Sequence, residues 1–139
     1  MTVNAVAAIA PAPLDPTSAQ PAIRTVAMPS DTNPAGDIFG GWLMSQMDLA
    51  AGIVATRRAQ GRAATVAVES MTFLQPVSVG DEVSLFAHLT GTGRTSMRIF
   101  VEAWRRPREG GELSKVTQAS FTYVAVDGAR KSRSLPAQE

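Results

Sequence analysis

The sequence predicts an α+β fold in which one long buried helix is wrapped by a curved antiparallel β-sheet. A proline-free run rich in Leu, Met and Ala covers residues 38–58. After residue 63 the apolar pattern changes from helical to alternating, as strands require. The alternating segments are separated by short clusters of Gly, Pro, Asp and Ser, which suit turns between antiparallel neighbours.

In chain order, residues 1–21 are Ala/Pro-rich and are expected to be a disordered leader; a single domain then runs over residues 22–136. IRTVAM (23–28) is β-branched and half apolar, a short strand that Pro29 ends. SDTNPAGD (30–37) is dense in turn formers and is expected to be a loop. The helix follows, closing on Arg57 and Arg58, whose charges suit a helix C-terminus, with Gly61 as its stop. Trp42, Leu43, Met44, Met47, Leu49, Ile53 and Val54 surround nearly its whole circumference, so the helix is expected to be buried on all sides. One stripe interrupts them: Gly41, Ser45, Asp48 and Gly52 share a face and are small apart from the carboxylate. Strands are expected over 63–74, 82–90, 95–106 and 113–126, with turns at 75–81 and 91–94, an open loop at 107–112, and a basic, irregular tail.

Bulk properties exclude several classes. At 139 residues there is room for one core. A net charge of +1 gives no general attraction to nucleic acid or anionic membrane, so any site for an anion must be local. The absence of cysteine removes thiolate catalysis and zinc–sulfur sites, and a lone His88 argues against a triad or a histidine metal cluster. No apolar run is long enough to span a membrane, and no basic residue precedes Arg24, as a secretory signal would need; a cytoplasmic protein is expected.

Asp48 is the most informative residue. A carboxylate on an otherwise apolar helix is either a base or nucleophile, or a partner for a neighbouring subunit. Gly40 and Gly41 fall at the helix start, where unpaired N–H groups and the helix dipole can hold a carbonyl gaining negative charge; the pair equally allows close packing. Asn33 precedes Pro34 as an Asx-turn residue would, and Asp37 is expected to cap the helix. Glu69 and Ser70 end a strand expected to face the helix, with Glu69 in reserve as the carboxylate. GTGRTS (91–96) lacks the helix-opening context of a phosphate-binding loop.

MPSDTNPAGDIFGGWLMSQMD (28–48), VAVESMTFLQPVSVGDEV (66–83) and FTYVAVDGARKSRSLP (121–136) resemble, in order, the YciA-type acyl-CoA thioesterases of the hotdog-fold superfamily. The resemblance extends from about Ile23 to Pro136. It implies a hotdog fold and hydrolysis of short-to-medium acyl-CoA thioesters to free fatty acid and coenzyme A. It also implies sites at a dimer interface, assembly as a trimer of dimers, and no cofactor beyond the coenzyme A of the substrate. Asp48 then matches the helix-borne acid of the family, acting as general base or nucleophile, and Asn33 the loop amide that meets the acid of the other subunit. Gly41 would assist at the carbonyl, with Gly40, Ser45, Glu69 and Ser70 lining the substrate. Arg94, Thr95 and Ser96 resemble a turn that contacts the pantetheine and nucleotide, and Lys131 and Arg133 supply charge for the 3′-phosphate. Two other readings compete. A hydratase or dehydratase of this fold would want a histidine beside the acid, and His88 lies far along the chain. A non-catalytic acyl-CoA sensor would want an output module, which the leader is too short to be.

Overall fold

The structure, a computed structural model, describes residues 14–138. Five strands and one α-helix follow in the order β1 (Ile23–Val26), α1 (Gly40–Ala59), β2 (Ala63–Glu69), β3 (Glu82–Thr92), β4 (Ser96–Arg106) and β5 (Ser114–Ala125), with a 3-10 turn at Pro29–Asp31. Every strand pairing is antiparallel and the order across the sheet is β1-β3-β4-β5-β2. The helix lies on one face of this sheet, as the fold class expected.

Interdigitation of small and large side chains holds helix to sheet. The inner stripe of α1 is Leu43, Met47, Ala50, Ala51, Ala55 and Ala59, recurring at three- and four-residue spacing and all buried. The alanines let the helix axis come close, and the sheet supplies the bulk: Val83 and Leu85 from β3, Met97, Ile99 and Val101 from β4, Phe121 and Tyr123 from β5. The helix ends on Gln60, in a left-handed conformation at φ 51°.

Several expectations need correction. The helix is not buried on all sides: Leu49 is 60% exposed and Met44 39%, because the sheet covers only the inner stripe. β2 does not neighbour β3. It stops at Glu69, where Ser70 takes a left-handed φ of 55°, and it pairs with β5 at the far edge of the sheet. Residues 70–81 are therefore a crossing connection and not a hairpin turn. This connection passes the end of β5, where Leu74 N–H donates to Val116 O (2.7 Å), and reaches β1, where Gly80 N–H donates to Ala27 O (2.7 Å). β3 runs on to Thr92, through part of the expected turn.

Of the expected leader, residues 1–13 lie outside the described residues. Residues 15–19 form a turn held by the Asp15 carboxylate, and Ala22 N–H joins the sheet at Leu85 O (2.8 Å). The tail is tied down more firmly than expected. Arg133 N–H donates to Ala125 O (2.9 Å) and Leu135 N–H to Arg94 O (2.9 Å). The Arg133 guanidinium meanwhile donates to Val126 O (3.0 Å) and to Ala59 O (3.0 Å), the last carbonyl of the helix. A cation at this end also opposes the negative pole of the helix dipole.

Arg133 thus joins tail, sheet and helix C-terminus. Arg133→Ala is expected to lower the unfolding free energy by about 1–3 kcal/mol, the range for hydrogen bonds from a charged donor. Arg133→Lys should restore little of it, since an ammonium cannot reproduce the planar fork. Chemical denaturation of the three proteins checks both statements.

Candidate active site

Asp48 lies two turns into α1, half-buried, on the side of the helix that faces β2 and β5. Its Oδ1 accepts a 2.6 Å hydrogen bond from Thr65 Oγ1 and a second, short one from the Tyr123 hydroxyl. The same phenol oxygen is 2.6 Å from the Asp48 main-chain carbonyl. Oδ2 has no hydrogen-bond partner among the described residues. Thr65 and Tyr123 are direct cross-strand partners in the β2–β5 ladder, so their side chains stand together on the helix side of the sheet. The small-residue stripe explains the approach: a Cβ added at Gly52, one turn beyond Asp48, would stand 3.5 Å from the Tyr123 hydroxyl. Gly41 and Ser45 on the same stripe are exposed, and Ser45 Oγ donates to Trp42 O (2.6 Å) within its own helix.

The start of the helix forms a second feature. Phe39 is the N-cap and offers no side-chain acceptor; its carbonyl accepts from Trp42 N–H (3.1 Å), so the amides of Gly40 and Gly41 precede the intrahelical ladder. Asp37, expected as the cap, is exposed, and its backbone instead pairs with Asn33. An apolar pocket of about 260 Å³ opens here between the helix start and the crossing connection, lined by Phe39, Gly40, Leu43, Phe73, Val77 and Val116 among others. The Phe73 ring lies so close to Gly40 that a Cβ there would be 2.9 Å from it. Phe73 lines this pocket, whereas Met44 on the helix is exposed and Met47 and Phe121 belong to the closed core.

Within one chain Asn33 does not meet Asp48. Its Oδ1 accepts from Ala35 N–H (3.0 Å) and Asp37 N–H (3.1 Å), a turn-stabilising role. Glu69 is on the other face of the sheet from Asp48 and pairs with Arg98, so it is no substitute for the helix carboxylate. A β-bulge between Thr65 and Ala67 is the cause: it shifts the alternation and turns Glu69 outward. Ser70 is exposed just beyond it. Arg94 is exposed and reaches Ser134 Oγ (3.1 Å), and Lys131 is exposed on the turn that Asp127 organises. Thr95 and Ser96 are buried, and their hydroxyls find no hydrogen-bond partner among the described residues. Arg133, expected at a phosphate, is committed to main-chain carbonyls. His88 stacks on Phe100, centroids 6.4 Å apart, on the sheet face away from the helix.

Thr65 and Tyr123 were not among the candidates read from the sequence. The available signal was that Tyr123 is the only tyrosine of the chain, on a strand whose alternation sets it on the same face as Ala119 and Phe121.

Burial, then the hydrogen bond to Asp48 and its charge, push the Tyr123 hydroxyl well above the ordinary tyrosine value of about 10. Because the folded value is raised, its contribution to stability is complete below that ordinary value and is lost as pH rises through it towards the folded one. With one tyrosine in the chain, tyrosinate absorbance reports this residue alone. The expected result is no ionisation in the folded protein at pH about 10, and ionisation together with alkaline unfolding. Titration along the ordinary curve in a protein still folded by circular dichroism would contradict it.

A sequence model described as the thioesterase superfamily matches residues 35–112. The acyl-CoA thioester hydrolase YciA of Escherichia coli is 51% identical over 119 residues, covering 84% of this chain and 90% of the relative. The crystal structure of a hexameric broad-specificity acyl-coenzyme A thioesterase is 48% identical with a TM-score of 0.82, covering 89% of this chain and 88% of that one. A hexameric thioesterase from Yersinia pestis is 51% identical with a TM-score of 0.81, covering 87% of this chain and 98% of that one. With a shared fold, and sequence identity that runs across helix, crossing connection and sheet alike, the chain belongs to the hotdog-fold thioesterase superfamily, among its YciA-type acyl-CoA thioester hydrolases.

Proposed function

We propose that the protein hydrolyses acyl-coenzyme A thioesters of broad, short-to-medium chain length to the free acid and coenzyme A, with Asp48 as the reacting carboxylate. The observation that carries this reading is a half-buried helix carboxylate with one oxygen anchored and the other free. Oδ2 takes a proton from water as the water oxygen bonds to the thioester carbonyl carbon. The carbonyl electrons move onto oxygen, and collapse of that intermediate breaks the C–S bond, releasing the thiolate, which recovers the proton. Thiolate is a good enough leaving group for this to need no metal or other cofactor. In the other route open to the same carboxylate, Oδ2 attacks the carbonyl and water later opens the anhydride. Single-turnover hydrolysis in oxygen-labelled water tests the second route, because label appears in Asp48 only when water opens an anhydride at the Asp48 carbonyl.

The helix-start amides supply the remaining need, donors to the developing oxyanion. Gly40 and Asp48 are eight residues apart, hence about 12 Å along the helix. One carbonyl cannot touch both on the same chain, so the amides that serve Asp48 come from a second copy, together with the Asn33 loop. Met44, Leu49 and Val68 are exposed, and among the described residues the outer edge of β2 has no strand partner, which gives that second copy a surface to cover. The hexamers formed by related thioesterases support a trimer of such dimers. The pocket at the helix start takes the acyl chain, and the exposed cations Arg94 and Lys131 lie at the nucleotide end. A cytoplasmic setting accompanies a coenzyme A substrate; among the described residues no helix is long and apolar enough to cross a membrane.

Free-thiol release from a panel of acyl-CoAs is the direct test. Wild type is expected to turn over, and Asp48→Ala to lose orders of magnitude in kcat while remaining folded. Full activity in Asp48→Ala, or acyl-CoA binding by wild type without thiol release, would overturn the assignment. Mixing Asp48→Ala with Asn33→Ala should recover activity that neither parent has, since a mixed dimer holds one intact site. Failure of mixed oligomers to regain activity would place both groups on one chain.

A further inference from the structure

We infer that Thr65 and Tyr123 are positioning residues for Asp48, two hydroxyls from opposed cross-strand positions that fix Oδ1 and thereby select Oδ2 as the reacting oxygen. The inference rests on the hydrolase reading above and names residues that reading does not need.

An aspartate side chain turns easily about its terminal torsion, where the preference is broad and nearly two-fold. An unrestrained carboxylate would present either oxygen, at varying angles, to a carbonyl that must be met within a few tenths of an ångström. Both donors here converge on the same oxygen: Thr65 Oγ1 at 2.6 Å, and the Tyr123 hydroxyl. The phenol is also 2.6 Å from the main-chain carbonyl of Asp48, so it registers the backbone as well as the side chain. Tyr123 is 4% exposed and set in the core, which makes it a rigid post. Thr65 is exposed on edge strand β2 and reaches the carboxylate because it is paired opposite Tyr123, which sets its side chain on the helix side. Neither group is placed to supply a proton to the leaving thiolate. Burial and the adjacent carboxylate hold the phenol in its protonated form, and both hydroxyls already donate to oxygens of Asp48. Their action is therefore through Asp48.

The test measures kcat and KM separately for thiol release by the full chain. Tyr123→Phe and Thr65→Val should each lower kcat by roughly ten- to hundred-fold, the worth of a hydrogen bond to a charged group, with KM little changed. Thr65→Ser, which returns the hydroxyl without the methyl, should recover most of the Thr65→Val loss. In an Asp48→Asn background the same substitutions should cost little further, because residues acting through one group are not additive. Equal fold-losses in both backgrounds, or a loss confined to KM, would overturn the inference. Should Tyr123→Phe fail to fold, the Thr65→Val and Thr65→Ser pair decides alone, since Thr65 is on the surface. If wild type turns over and both variants keep its kcat, only the positioning role falls; if wild type releases no thiol, the hydrolase reading falls with it.

Discussion

The arrangement depends on a single contact: one helix covers the concave face of a five-stranded sheet. Four buried alanines, Ala50, Ala51, Ala55 and Ala59, form much of the surface that α1 presents, and large side chains from β3, β4 and β5 fill the space they leave. Bringing the helix so close has a functional consequence. A phenol rooted on β5 can reach the helix backbone at Asp48, and Gly52 leaves the room for it. The packing that stabilises the core and the hydrogen bonds that hold the carboxylate are thus one contact. A larger residue on the alanine stripe would act on both by lifting the helix from the sheet.

The same contact leaves one side of the helix uncovered within a single chain. A sheet that wraps one side of a helix leaves the opposite side in water, and here that side carries Met44 and Leu49. The carboxylate and the helix-start amides are each well formed, yet the rise of the helix holds them about 12 Å apart. In the proposed dimer, a two-fold pairing of copies would bring the start of one helix to the middle of another and cover the exposed apolar side chains in the same step. On the proposed reading, assembly and site formation would share a cause, the geometry of a straight helix carrying both groups on one chain.

Much of this was legible in the sequence, and the parts that were not share a reason. The helix, the fold class, the strand count and the carboxylate at Asp48 follow from local period and composition. The position of β2 did not, because its pairing with β5 depends on where residues 70–81 travel, and short-range period carries no information on that. The bulge between Thr65 and Ala67 broke the parity rule as well. Strict alternation sets Glu69 on the same face as Thr65, whereas the extra residue leaves Thr65 inward at Asp48 and turns Glu69 outward to Arg98. One inserted residue thus separated a false candidate from a true neighbour of the site. Arg133 misled differently: the sequence shows a cation in a basic tail, and only the fold shows it against Ala59 O.

That last point narrows how the nucleotide end of a substrate would be held. With Arg133 committed to the helix terminus, the cations available at that end of the sheet are exposed: Arg94, Arg130 and Lys131. Exposed charges attract a phosphate weakly and are screened by salt, so they steer and loosely retain it. Discrimination would then fall to the reacting end, where the apolar pocket meets Gly40 and Phe73 and where the carboxylate is held by two hydroxyls. An open apolar pocket separates acyl chains poorly, since each methylene is worth only about 0.8 kcal/mol. Loose hold on the nucleotide, tolerant hold on the chain and tight hold on Asp48 together describe an enzyme selective for the thioester bond more than for what is attached to it.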